Sequence, residues 1–319
     1  AISIGNGTYS GDNAVALGRF ANDAQANSVA IGNQSQALEI NSVAIGNAAL
    51  ATQDETVAIG SQAQATGWGA FAMGRNAKAD GFQSVAIGNQ AHVVDDGVLH
   101  SGNYGVAIGD SAKTQSNGIA IGSNAGEFND VIDSNTNAVI KAYVTTNQIA
   151  IGSAAGRYQQ GDENISLGTA AGAFVEGNRN FHVGSNAGDS TKGDDNMAIG
   201  MQAGVSTTGS RNSVIGSWAG SLVQGNDNLM FGAEAGQSVQ GDDNIALGRE
   251  TGKDIIGQRN TSLGLGAGAF ATGNDNIGIG SNANMGAPTF LQYAQGMRAQ
   301  GNNNIGIGSN AGNFYFMDA

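Results

Sequence analysis

Asn27-Ser28-Val29-Ala30-Ile31-Gly32-Asn33-Gln34-Ser35 is echoed fourteen residues on by Asn41-Ser42-Val43-Ala44-Ile45-Gly46, and that echo decides the fold. The glycine closing each run recurs at 18, 32, 46, 60, 74 and 88, an interval of 14. It recurs again at 152, 168, 184, 200, 216, 232, 248, 264 and 280, an interval of 16. Gly5, Gly109, Gly122 and Gly308 complete nineteen repeats. A short fixed period marks a solenoid, whose units bury their faces only against their neighbours. The residue before the glycine is large and apolar in all nineteen repeats. The residue three before it is so in seventeen, Ser213 and Thr261 being the exceptions. A small residue usually lies between, and large-small-large over three residues is strand alternation. The fold class is all-β.

The large pair is expected to point into the coil and the small residue out of it. An outward strand position commonly carries Thr, Lys or Glu. An outward Ala row instead implies another backbone packed close against it, or else a flat ladder that merely limits aggregation. The close-packing reading makes Ala16, Ala30, Ala44, Ala58, Ala72 and Ala86 the candidate subunit interface. In the 16-residue zone a second glycine heads a Gly-x-x-Asn turn, as in Gly161-Asp162-Glu163-Asn164 and Gly241-Asp242-Asp243-Asn244. Such residues suit a tight turn, and the two extra residues are expected to widen this corner. Ala-Gly pairs such as Ala187-Gly188 should mark the opposite one.

Composition narrows the function. The chain has 319 residues, 52 of them Gly and one Pro, with 26 acidic and 13 basic side chains giving a net charge of −13. A phosphate backbone would be repelled, so nucleic acid is not an expected partner. No apolar run approaches the roughly 20 residues of a membrane helix, and no direct membrane insertion by this segment is expected. Cysteine is absent, which excludes disulfides. The chain opens inside a repeat, at Ala1-Ile2-Ser3-Ile4-Gly5, and so reads as a piece of a longer one.

No catalytic, cofactor-binding or metal-binding residue emerges, and the chain is not expected to be an enzyme. Calcium rolls need a nine-residue period with acids in every turn, whereas equivalent turns here carry Asn178-Arg179 and Ser210-Arg211. Left-handed hexapeptide acyltransferases count their turns in sixes, unlike 14 or 16. His92 and His100 fall in one irregular loop without a carboxylate or thiol cluster. His182 stands in the small row. There it is a candidate interface residue, either a pH-sensitive contact or anion site among its copies, or a packing variant. Aromatics six residues past the glycine (Phe128, Tyr158, Phe174, Phe270, Phe314) read as a stacked interior or corner row.

Interruptions divide the chain. Residues 1–125 form a roll of 14-residue repeats, 126–148 an insertion that reads as a β-hairpin, and 149–283 a roll of 16-residue repeats. Residues 284–300 are a second insertion, and 301–319 hold the last repeat and the start of the next segment. Solenoid insertions often carry binding. Val139, Tyr143, Phe290, Leu291, Tyr293 and Arg298 are therefore the ligand-contact candidates.

The runs at 27–35 and 41–46 resemble the head repeat of trimeric autotransporter adhesins, with Yersinia-type heads the nearest pattern. The 16-residue repeats are similar to longer head repeats of the same family. The resemblance implies a left-handed parallel β-roll, an elongated homotrimer, and display at the bacterial surface. The outer-membrane anchor would lie in parts outside this fragment. It also implies multivalent attachment to host matrix proteins, other cells or abiotic surfaces. A trimeric β-helical segment of a phage tail fibre is the alternative.

Overall fold

A computed structural model describes residues 1–23, 25–95, 104–115, 117–127, 131–132, 139–141, 147–283 and 301–311, with backbone alone at 131–132 and 139–141. The chain forms two compact units, Ala1–Asn164 and Ile165–Ala319. Both are parallel β-solenoids.

In the first unit every coil contributes the strand read from the sequence, as at Val29–Ile31, Val43–Ile45 and Val57–Ile59. The strands pair parallel and in register, Val29 on Val43, Ala30 on Ala44 and Ile31 on Ile45. A second sheet of two-residue strands runs from Tyr9–Ser10 to Lys113–Thr114, with Gln64 on Lys78 and Ala65 on Ala79. Two corners join the sheets, each in the left-handed region. Gln34, Asn41, Ala48 and Glu55 have φ of 59, 59, 52 and 59°. A half-coil is thus seven residues long. The landmark glycine lets the coils approach: a Cβ on Gly46, at φ 137°, would stand 2.3 Å from the carbonyl oxygen of Gly60.

The orientation of the strands corrects the sequence reading. Ala16, Ala30, Ala44, Ala58, Ala72 and Ala86 are fully buried inside their own coil, and the flanking large residues are half-exposed. Two further alanine rows face them, Ala49-Ala63-Ala77 and Ala37-Ala51-Ala65-Ala79, all at 0% exposure. A coil closed in fourteen residues by two tight corners holds mostly methyl-sized groups, Asp23 and Val93, the latter packed against Gly105, being larger exceptions. The larger side chains therefore turn outward. Ser42, Thr56 and Ser84 fill the remaining inner row, and their hydroxyls donate to the carbonyls of Glu39, Gln53 and Gly81 at 2.6, 2.6 and 2.7 Å. Small polar groups are thereby buried without being left unpaired.

In the second unit the three-residue strands persist, from Ile165–Leu167 to Ile305–Ile307. The opposite sheet shrinks to single parallel bridges, Glu176 to Lys192 to Thr208 to Gln224. A third left-handed corner appears six residues past the glycine, at Phe174, Ser190, Ser206 and Leu222 (φ 56, 60, 56 and 63°). The aromatic row thus contains a corner. Here Phe174 and Leu222 are exposed. The extra two residues widen the coil beside the Ala-Gly pair, not at Gly-x-x-Asn as the sequence suggested. This wider coil admits Val214, Val223, Met230, Val239 and Ile255 to its interior.

Gly-x-x-Asn builds a ladder instead. The Asn228 backbone N–H and Nδ2 both donate to Asn212 Oδ1, at 3.1 and 2.9 Å, and Asn212 Nδ2 donates to the Gly225 carbonyl at 2.9 Å. The same pattern links Asn244 to Asn228 and Asn260 to Asn244. Outside the ladder, Val131–Ile132 pairs antiparallel with Val139–Lys141 in the first insertion.

Candidate functional site

Inward alanines leave the large flanking rows as the apolar surface of the strand sheet. In the first unit these are pairs such as Val43/Ile45, Val57/Ile59 and Phe71/Met73. In the second they include Leu229, Phe231 and Leu263, at 38, 54 and 43% exposure. Alternation alone could not tell which member of large-small-large faces inward. The second signal was the recurrence of alanine at the positions now seen as the facing inner rows.

His182, read as an interface residue, is instead sealed in the interior at 0% exposure. It stacks in register on Ser166 and Ala198. Neither of its ring nitrogens finds a hydrogen-bond partner among the described residues, and Ser166 Oγ shares that condition. Burial pushes the imidazole down to about 4, so it is neutral at ordinary pH. It offers no group to a partner chain.

The ligand-contact candidates Val139, Tyr143, Phe290, Leu291, Tyr293 and Arg298 lie outside the residues whose side chains are described. The described surface offers two features that the sequence reading passed over. Trp68, Phe82 and Tyr104 occupy successive coils at one corner. Trp68 and Phe82 stack at 5.1 Å with their planes 14° apart, and Tyr104 meets Phe82 edge-on at 5.7 Å. All three are exposed. Their positions five or six residues before the glycines at 74, 88 and 109 could have revealed them as a column.

The second feature is a groove of about 580 Å³ beside the other corner of the first unit, lined by Gln62, Gln90, Gln64, Lys78, His92 and Lys113 among others. Lys78, His92 and Lys113 are register neighbours on the outward face of the short-strand sheet. His92 Nε2 lies 2.7 Å from Asp80 Oδ2, and Thr66 Oγ1 donates to Asp80 Oδ1 at 2.7 Å. Burial alone would raise the Asp80 carboxyl. Its bonds to His92 and Thr66, with Lys78 nearby, outweigh that and hold it below its ordinary value.

In the second unit the turn carries an exposed charge ladder. Arg179, Arg211 and Arg259 each reach the Asp one coil on, at Asp195, Asp227 and Asp275, with Nε–Oδ1 distances of 2.7, 2.6 and 2.6 Å. Each is bidentate through a second bond from Nη2. Bonding to the guanidinium lowers all three carboxyls.

Residues 25–49, 51–77, 65–91 and 79–97 match the family described as YadA head domain repeat. No curated protein matches the chain. The matched stretch coincides with coils whose strand, glycine and corners are described above. The match over 25–97 is consistent with a YadA-like head domain of a trimeric autotransporter adhesin.

Proposed function

We propose that this chain is the head of a bacterial cell-surface adhesin. It works as a left-handed, homotrimeric roll that attaches by repeated surface contact and not by catalysis. The observation that carries the assembly reading is the half-exposed face of large aliphatic residues, Val43/Ile45 and Val57/Ile59 among them, repeated coil after coil in a single chain. A contiguous apolar face of this kind marks an interaction site. A cyclic assembly of identical copies covers it without leaving a new edge. The match to YadA head repeats supports reading three copies, a left-handed roll and a bacterial surface. Host matrix proteins, other cells and abiotic surfaces are the proposed targets. Each exposed feature would be presented three times, so weak contacts add through avidity.

The test has two parts. Light scattering on the purified chain should return three times the mass of one copy, and a stable monomer would reject the assembly. The head, grafted onto a trimeric stalk and displayed on non-adherent bacteria, should raise retention on matrix-coated or bare plastic surfaces. Retention equal to that of cells carrying the stalk alone would reject the adhesin reading.

A further inference from the structure

We propose that the groove holding Lys78, His92 and Lys113 binds an acidic polysaccharide laid along the coil axis. The inference deepens the adhesin reading and rests on the seam lying on the opposite, strand-bearing sheet. The chain is acidic, and between residues 1 and 127 only Arg19, Arg75, Lys78 and Lys113 carry permanent positive charge. Two of those four, Lys78 and Lys113, line this groove. Lys78 and Lys113 stand one rung either side of His92. With rungs about 4.8 Å apart, their backbones are about 10 Å apart along the axis. Arg75, next in sequence to the lining residue Asn76, donates from Nε to Asn89 Oδ1 at 3.0 Å. Lys78 makes no ion pair among the described residues. Two acids of these coils have described partners: Asp80 is held by His92 and Thr66, and Asp110 accepts from Asn89 Nδ2 at 2.6 Å. Both are already engaged by neighbours.

The other wall says what else the ligand carries. Gln62 and Gln90 stand on left-handed corners with φ of 59 and 58° and are exposed, and Gln64 extends the lysine row. Carboxamides donate and accept at once, which suits hydroxyl groups. Cations in a row with Gln64 and facing the Gln62 and Gln90 carboxamides therefore match a polymer bearing both anions and hydroxyls. Nucleic acid fits less well. No Trp, Tyr or Phe is among the groove's lining residues to stack a base. The groove's lining repeats over successive coils, at Ala48, Gln62, Asn76 and Gln90, as a polymer site requires.

The experiment measures binding of the purified, untagged chain to heparin oligosaccharides and alginate, with dextran and single-stranded oligo(dT) as comparisons. Heparin or alginate should bind, more weakly as salt rises, and dextran should not. Lys78→Gln with Lys113→Gln should weaken binding about tenfold at an unchanged melting temperature, and Lys78→Arg with Lys113→Arg should retain it. No retention of either polysaccharide, undiminished binding by the Gln variant, or equal binding of oligo(dT) would each overturn the proposal. Mass measured in the same samples separates the two readings: a trimer that ignores polysaccharide sinks only the groove, and a monomer that binds it sinks only the trimer.

Discussion

His182 fills the space that a side chain on Gly188 would need: a Cβ built on Gly188 would stand 2.1 Å from His182 Cδ2. The relation recurs along the second unit. A Cβ on Gly236 would meet Met230 Sδ at 2.2 Å, and one on Gly220 would meet Val214 Cγ2 at 2.6 Å. The glycine of each Ala-Gly pair is thus the counterpart of the interior residue six positions earlier. Its left-handed backbone, φ +64° at Gly188, turns the coil and leaves room at the same point.

Gly188→Ala is accordingly expected to destabilise the protein by about 2–4 kcal/mol, part from the strained φ and part from overpacking. Adding His182→Ala should recover the overpacking share, so the double variant should melt above the Gly188→Ala single variant. Thermal unfolding followed by circular dichroism measures both. Equal melting of the single and double variants would show that the two side chains do not compete for one space.

Burial of His182 also predicts a pH dependence. Its folded value, about 4, lies below the ordinary 6.5. The unfolded chain therefore takes up the proton more readily. This contribution to stability is complete above pH 6.5 and declines as pH falls toward 4, by on the order of 3 kcal/mol per chain. His182→Met copies the Met230–Gly236 pair and removes two unpartnered ring nitrogens. It should raise stability at neutral pH by about 1 kcal/mol and flatten the acid slope. Urea titrations at pH 7 and pH 5 test this, and an unaltered slope in His182→Met would place the sensitivity elsewhere.

Repeat, strand and coil were legible because three residues and a glycine sufficed to set them. Val29-Ala30-Ile31-Gly32 fixes strand position and register whichever way its side chains point. Orientation was not legible from that run, because alternation is symmetric under reversal of the two faces. Coil width settles it. Left-handed corners only seven positions apart, at Gln34 and Asn41, leave room inside for small side chains such as Ala30, Ser35, Ala37 and Ser42. The same reasoning relocates His182, which entered the inner row where the 16-residue coil had widened. The groove at Lys78 was hidden for a different reason. Its cations come from coils 14 and 21 residues apart and mean nothing until stacked.

The asparagine ladder supports a third prediction. Asn212 Oδ1 accepts from both the backbone N–H and Nδ2 of Asn228, and both residues are buried. Asn212→Ala strips both donors of their acceptor and removes the bond to Gly225. The loss should be about 2–4 kcal/mol, and it should spread as faster hydrogen exchange at the Asn228 amide. Asn212→Asp keeps the acceptor but loses the donor to Gly225, so it should fall between alanine and the native residue. An alanine variant as stable as the native protein would mean that the ladder contributes nothing net.

Neighbouring residues on one strand separate the interior from the seam. Ala58 points inward at 0% exposure, among alanines on every side, while Val57 and Ile59 flank it half-exposed. Ala58→Trp must place an indole where a methyl fits. The coil cannot close around it, so folding itself should fail, well beyond the 1–3 kcal/mol of ordinary overpacking. Ile59→Lys leaves the interior intact and puts a charge on the aliphatic face. It should preserve the β spectrum of the single chain while weakening assembly, because a buried ammonium at a seam would have no partner. Circular dichroism and light scattering on the two variants distinguish them. A folded trimer from Ala58→Trp would return the alanine row to the surface. Trimers undisturbed by lysine at 59 would move the seam off this sheet.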